Sequence, residues 1–203
     1  RSSFTFFVAR NDNPVHPRLL FGAPERDRVR ERFLSDRFSP VRERFGTEAR
    51  ELRDKVGIES RIYDFDQFPT SDWISSLWNW FTDRMILYRE ALFTNAVAYA
   101  LLDDREAGEF CRRFLLLLAE WPLWNHPWME HRGFRTYFPA AEFAGAYALA
   151  YDMVYDLLTP DERAKVRGAL VDRFVRPAFH TYVNWNQITS RSEERRVGEE
   201  CRS

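Results

Sequence analysis

The chain has 203 residues, which is enough for one domain with a sizeable hydrophobic core. Its 30 basic and 31 acidic side chains leave a net charge of -1, which argues against a nucleic-acid binder that relies on a basic face. Its two cysteines cannot build a disulfide framework, and no apolar run is long enough to span a membrane. Composition leaves the oligomeric state open.

The first residues are predicted to be extended. Residues 4–8 are β-prone, and a turn-rich stretch that includes Pro14 follows them. We interpret residues 1–15 as the remnant of an upstream β element and its linker, a short extended N-terminal arm. Pro17 biases His16 away from helical backbone, and we expect His16 to pack or cap locally.

Amphipathic helices are predicted next, over residues 24–36 and 40–56, with Gly57 as a stop signal. Residues 58–70 lack a helical period and are predicted to form a loop over the domain. A further helix is predicted to begin near Ser71, which is a suitable N-cap.

Two helix hairpins form the strongest pattern. Residues 84–102 and 105–120 are predicted to pair across a two-residue link. Residues 140–158 are predicted to pair with a helix that begins at the capping box of Thr159 and Glu162 and stops near Pro177. The predicted fold is all-α, an incomplete (α/α) toroid of antiparallel helix hairpins over residues 16–189, with its functional face on the side of the long loops.

Residues 121–137 are the long loop between the two hairpins. They contain three tryptophans and two prolines without a helical period, and such a loop is a typical place for a binding cleft. Flat indole faces can stack on sugar rings, and a bidentate arginine suits a carboxylate or a sulfate. The predicted cleft residues in this loop are Trp124, His126, Trp128, His131, Arg135 and Tyr137, with His131 and Tyr137 as candidates for proton transfer.

Plainer interpretations of this loop stay open. The tryptophans would then plug the end of a helical bundle, and Arg135 would make an ion pair at the rim with Glu130 or Glu142. A zinc site at the two histidines is disfavoured because their spacing lacks helical geometry, and we predict no metal and no cofactor.

Two carboxylates further along the chain offer another hypothesis. Asp152 and Asp156 lie four residues apart on a predicted helix, which suggests the carboxylate pair of a glycoside hydrolase. Pairing with Arg163 or Arg167 is the interpretation that we prefer, because both carboxylates fall near the short-link side.

Several segments in this order resemble the N-terminal toroid of the heparinase II/III-like polysaccharide lyases. They are His16-Pro-Arg-Leu-Leu-Phe21, residues 100–104, residues 118–124, residues 148–159 and Asn184-Trp-Asn186. The resemblance covers roughly residues 14–188. It implies that further helices and a C-terminal β-sandwich follow in the intact protein, in the periplasm or outside a bacterium.

The resemblance also implies β-elimination on uronic-acid polysaccharides such as glycosaminoglycans or alginate. It places the amide that neutralises the uronate carboxylate at Asn184 or Asn186, with Gln187 beside them as a substrate-binding residue, and it places the family's catalytic tyrosine and histidine beyond this chain. We therefore expect the chain to hold part of a cleft and to be inactive alone. A toroid glycoside hydrolase and a non-catalytic carbohydrate-binding domain are the alternatives.

Residues 190–203 form a polar tail that looks non-native, and we exclude it from the predicted fold.

Overall fold

The computed structural model describes residues 16–57, 78–126, 129–130 and 133–184, and every regular element within these ranges is helical. The predicted all-α class is thereby confirmed for the described part of the chain. The predicted N-terminal arm, the loop over residues 58–70, the helix start near Ser71 and the polar tail lie outside the described residues.

The helices are α1 (Ala23–Leu34), α2 (Ser39–Val56), α3 (Trp78–Leu102), α4 (Arg105–Glu120), α5 (Phe138–Met153), α6 (Pro160–Leu170) and α7 (Arg176–Val183). Short 3-10 helices occupy Asp36–Phe38 and Tyr155–Leu157, and a π-helical segment spans Val171–Val175. None of the helices in the described ranges is long and apolar enough to cross a lipid bilayer.

The central helix is α3. Its side chains are apolar around most of the circumference, and Phe81, Met85, Tyr88 and Leu92 are all buried. A helix with this pattern must be covered on several sides. Accordingly, α3 packs against α1, α2, α4 and α5, most extensively against α5, while α4 also packs against α6.

The predicted hairpin of α3 and α4 is confirmed. Asp103 adopts the left-handed conformation with φ of 55°, and the Asp104 carboxylate caps α4 by accepting the Ala107 N–H at 2.9 Å. Gly108 lets the helices approach closely, since a Cβ at this position would lie 2.5 Å from the Tyr99 ring. Any larger residue here would displace the Tyr99 ring.

The second predicted hairpin is confirmed with a shorter first helix. The Thr159 hydroxyl accepts the Glu162 N–H, and the Glu162 carboxylate accepts the Thr159 N–H, which completes the predicted capping box. However, α5 ends at Met153 and not at residue 158, because the chain tightens into the 3-10 helix Tyr155–Leu157. This tighter turn packs Leu157 beside Gly108.

Two other predicted boundaries are wrong. α3 is continuous from its first described residue, so residue 84 is an interior position and no helix begins there. The chain also stays helical through Pro177. Proline lacks an N–H and its ring crowds the preceding turn, and the wider π-helical turn before it, closed by the Arg176 N–H on the Val171 carbonyl, accommodates the ring.

Contacts between helices show their relative directions. Near the C-terminal ends of α3 and α5, the Tyr99 hydroxyl donates to Asp156, and near their N-terminal ends Phe81 lies against Tyr137. These two helices are therefore parallel, and α4, joined to α3 by two residues, runs in the opposite direction. We call the end with residues 103–104 and 154–159 the short-link end, and the end with residues 121–137 the long-loop end.

Candidate functional site

Four residues near the start of the long loop are buried: Trp121, Trp124, Asn125 and His126. Trp124 has no exposed surface, and its indole N–H donates to the Leu118 carbonyl at 3.0 Å. Its ring lies edge-on to Phe143 at 5.1 Å between centroids and 4.6 Å from the Tyr147 ring. An enclosed indole offers no face to a sugar, so this placement argues against the predicted substrate-binding role of Trp124. It favours the plainer interpretation of a plug at the end of the helical array.

His126 and Tyr137 also lie in the core. His126 has no exposed surface, Tyr137 is 8% exposed, and their rings lie 5.4 and 6.2 Å from the Phe81 ring. Burial lowers the pKa of His126 to about 4 and raises the pKa of the Tyr137 phenol. Both side chains are thus neutral at neutral pH and shielded from solvent, which argues against their predicted contacts with a glycan.

A chain of polar contacts holds the second half of the loop. The Asn125 amide group donates to Glu130 Oε1 at 2.9 Å and to the Phe134 carbonyl at 2.6 Å. The other Glu130 oxygen accepts a hydrogen bond from Arg135 Nη1 at 3.2 Å. We call the side chains of Asn125, Glu130 and Arg135 the loop relay. Exposure rises along the relay from 1% at Asn125 to 18% at Glu130 and 55% at Arg135.

The relay decides between the two predicted partners of Arg135. Glu130 is the partner, while Glu142 pairs with Arg89. Within the described part of the chain, Glu130 is the one carboxylate that pairs with Arg135. The guanidinium therefore keeps donors that face solvent and are available to an anion.

The loop is tied to the last helix through its backbone. The Arg135 N–H donates to the hydroxyl of Thr181 on α7 at 3.0 Å, and Thr181 is buried. This bond joins positions 46 residues apart. It places Arg135 next to the C-terminal turn of α7.

Asn184 ends that helix. Its side-chain amide donates to the His180 carbonyl at 2.8 Å and so caps the last turn of α7. Arg135 and Asn184 thus both lie at the long-loop end, Arg135 through its backbone bond to Thr181 and Asn184 at the C-terminus of α7.

Four predicted site residues lie outside the described residues: Trp128, His131, Asn186 and Gln187. Their predicted roles stay predictions.

The pair Asp152 and Asp156 lies at the other end of the array. Asp152 is 3% exposed and accepts hydrogen bonds from the His16 ring and from the backbone amides of Arg18 and Leu19, the latter at 2.8 Å. A carboxylate that is saturated with donors and buried is unsuited to the predicted hydrolase chemistry.

The preferred partners of these carboxylates were also predicted incorrectly. Asp156 accepts from the Tyr99 hydroxyl at 2.8 Å, and burial together with this bond raises the pKa of Tyr99 to about 12. Arg163 instead donates to the Tyr155 carbonyl and lies over the Tyr155 ring, 4.0 Å from its centroid. The opposite face of that ring stacks on His16, with centroids 3.7 Å apart.

Two residues of the site were not predicted from the sequence, Asn125 and Thr181. Asn125 follows Trp124 in a loop where the aromatic residues dominate the pattern, and its spacing of five from Glu130 matches no regular element. Thr181 sits in a helix segment after Pro177, where a helix end was predicted. No local pattern indicates that its hydroxyl accepts an amide from residue 135.

No known protein-family model matches the chain, and no curated protein matches it in sequence. The function is therefore argued from the geometry at the long-loop end.

Proposed function

We propose that this chain is the helical substrate-binding part of a polysaccharide lyase that cleaves uronic-acid-containing glycans by β-elimination, and that it is inactive alone. The helices would form part of an incomplete (α/α) toroid. Two features support this arrangement: the two hairpins run in the same direction, with α3 parallel to α5, and the short links and the long loop lie at opposite ends.

The exposed Arg135 guanidinium at the long-loop end carries the proposal. Arginine binds carboxylates and sulfates in a planar, bidentate manner, and this one is anchored at one nitrogen while most of its side chain is open to solvent. In β-elimination, neutralising the uronate carboxylate makes the proton on the adjacent carbon removable. An exposed arginine with free donors is suited to holding that carboxylate.

The chemistry also needs a base and an acid. A base removes the proton next to the carboxylate, a carbon–carbon double bond forms, the glycosidic carbon–oxygen bond breaks, and an acid protonates the leaving oxygen. Because His126 and Tyr137 are buried, neither supplies the base or the acid in this conformation. The resemblance places the family's catalytic tyrosine and histidine beyond this chain, which supports an inactive, substrate-binding role for the chain by itself.

Rings other than the tryptophans are exposed near this surface. Phe138, three residues after Arg135, is 61% exposed, and Tyr182, next to Thr181, is 66% exposed. Aromatic side chains with open faces suit the apolar faces of pyranose rings. They support a carbohydrate ligand over a small inorganic anion.

Binding to size-matched oligosaccharides tests the proposal. We expect the chain to bind hyaluronan or chondroitin hexasaccharides with an affinity that falls with added salt. We expect no binding to a neutral chitin hexasaccharide. Arg135→Ala should weaken binding about tenfold, the value of one charge-assisted hydrogen-bonding group. The matched control is Arg28→Ala, since Arg28 is also exposed and also pairs with one glutamate at 3.2 Å.

The lyase reaction is tested on a longer protein that contains this chain. The expected product is an unsaturated uronate, detected by its ultraviolet absorbance, with no product from the chain alone. New reducing ends without that absorbance would indicate a hydrolase. Salt-dependent binding without either product would favour the non-catalytic carbohydrate-binding domain, and salt-independent binding to the neutral oligosaccharide would contradict the proposal.

A further inference from the structure

The loop relay leads from a buried amide to an exposed cation. Asn125 is 1% exposed and anchored to the Phe134 carbonyl, Glu130 is mostly buried, and only Arg135 reaches solvent. Each oxygen of Glu130 is used by a different member, Oε1 by Asn125 and Oε2 by Arg135. The carboxylate is therefore held on one side and holds the guanidinium on the other.

The hydrogen bonding of the Asn125 side chain is not optimal for the stability of the fold. Its amide nitrogen donates to two acceptors, which assigns the orientation of the amide, and its buried oxygen has no hydrogen-bond partner among the residues that the structure describes. An unsatisfied buried acceptor is unfavourable, and such groups in folded proteins call for an explanation. Orienting Glu130 from within the core is a role that explains it.

We infer that Asn125 and Glu130 are positioning residues that orient the Arg135 guanidinium toward the carboxylate of an acidic sugar, an inference that rests on the proposed function. Arginine has a flexible side chain that loses rotamer freedom when it binds. The relay removes part of this freedom in advance, at Nη1, while the Arg135 N–H on Thr181 fixes the backbone. A pre-oriented guanidinium binds a planar carboxylate more tightly.

The direction in which one substitution changes the affinity distinguishes a positioning role of Glu130 from a purely electrostatic effect of its charge. Glu130 is an anion near the expected anionic ligand, so removal of its charge by Glu130→Gln would strengthen binding if the charge alone mattered. If Glu130 positions Arg135, the same substitution weakens binding, because the neutral amide holds the guanidinium less firmly.

A double-mutant cycle tests the inference with the full chain and a hyaluronan hexasaccharide as the probe. Glu130→Gln should weaken binding about fivefold in the otherwise unchanged chain, and it should not weaken binding when Arg135 is already alanine, where only the loss of the negative charge acts. Glu25→Gln is the matched control, since Glu25 pairs with the exposed Arg28 at the same 3.2 Å. Stronger or unchanged binding of Glu130→Gln, or equal weakening in both backgrounds, would overturn the inference.

A second measurement needs no ligand. The mobility of the Arg135 Nε–H group, measured by nitrogen relaxation in nuclear magnetic resonance, should increase in Glu130→Gln and in Asn125→Leu, whereas that of Arg28 should not. Unchanged Arg135 mobility in both variants would overturn the inference whether or not the chain binds a glycan. If mobility increases but the chain binds no acidic oligosaccharide, the positioning role stands and the proposed function fails.

Discussion

Charged side chains near the two ends of α5 lie in opposite environments. Asp152, at the short-link end, is buried and saturated by donors from residues 16–19, whereas Arg135, at the long-loop end, has one carboxylate partner and is largely exposed. Both lie near aromatic rings, and from the sequence both were candidates for a site. What separates them is whether a distant segment supplies partners that fill every hydrogen-bonding position.

The largest effect is expected at the saturated end. Asp152→Ala removes a buried carboxylate that accepts from the His16 ring and from two backbone amides, and it should lower the free energy of unfolding by about 3 kcal/mol. Urea denaturation followed by circular dichroism measures this. The control is Asp161→Asn on the exposed first turn of α6, which should change stability by less than about 0.5 kcal/mol.

A loss at Asp152 as small as that of the control would mean that the donors from residues 16–19 find other partners. The contrast between the two ends of α5 would then not hold, because Asp152 at the short-link end would contribute little to stability.

A substitution at Trp124 tests whether the buried part of the long loop contributes to stability and not to ligand binding. Trp124→Phe deletes the hydrogen bond to Leu118 and leaves a cavity between Phe143 and Tyr147, so stability should fall by about 2 kcal/mol. Affinity for an acidic hexasaccharide should stay the same for the folded protein. Weaker binding with unchanged stability would instead place the indole in a ligand site.

His126 makes the buried part of the loop sensitive to pH. Its pKa is about 4 in the folded chain because of burial, against about 6.5 when unfolded. The unfolded state therefore binds the proton first, and the stability that the neutral imidazole contributes is complete above the unfolded value and is lost as the pH falls toward 4. Between pH 7 and pH 5, the chain should lose about 2 kcal/mol more than His126→Gln does.

Denaturation curves at the two pH values measure this difference. His180→Gln, on the exposed surface of α7, is the matched control and should retain the pH dependence of the unchanged chain. Equal pH dependence in His126→Gln and the unchanged chain would show that solvent reaches His126, and that the long-loop end is open further inward than its burial indicates.

The smallest effect is expected at the short link before α6. Thr159→Ala removes the N-cap, and the free energy of unfolding should fall by about 1 kcal/mol. Thr47→Ala provides the comparison, because the Thr47 hydroxyl donates only to the Glu43 carbonyl on an exposed helical surface. Equal effects of both substitutions would mean that the capping box does not stabilise the short-link end.

Local chemistry made much of the fold predictable. The ends of α4, the cap at Thr159 and the stop at Gly57 each depend on residues within a few positions of one another, and the structure places all three as expected. The continuation past Pro177 was missed because proline is a local stop signal, and the π-helical turn that accommodates it has no comparable signature.

The sequence by itself thus determined the helical class, the hairpins and the existence of an aromatic, charged loop between them. Only the tertiary structure decided which residues of that loop are core and which face solvent. From the sequence, Trp124 and Arg135 look equally suited to a cleft. In the structure, Phe143 and Tyr147 enclose Trp124, whereas Thr181 holds Arg135 at the surface. Burial is a property of contacts between distant segments, and no spacing within residues 121–137 encodes it.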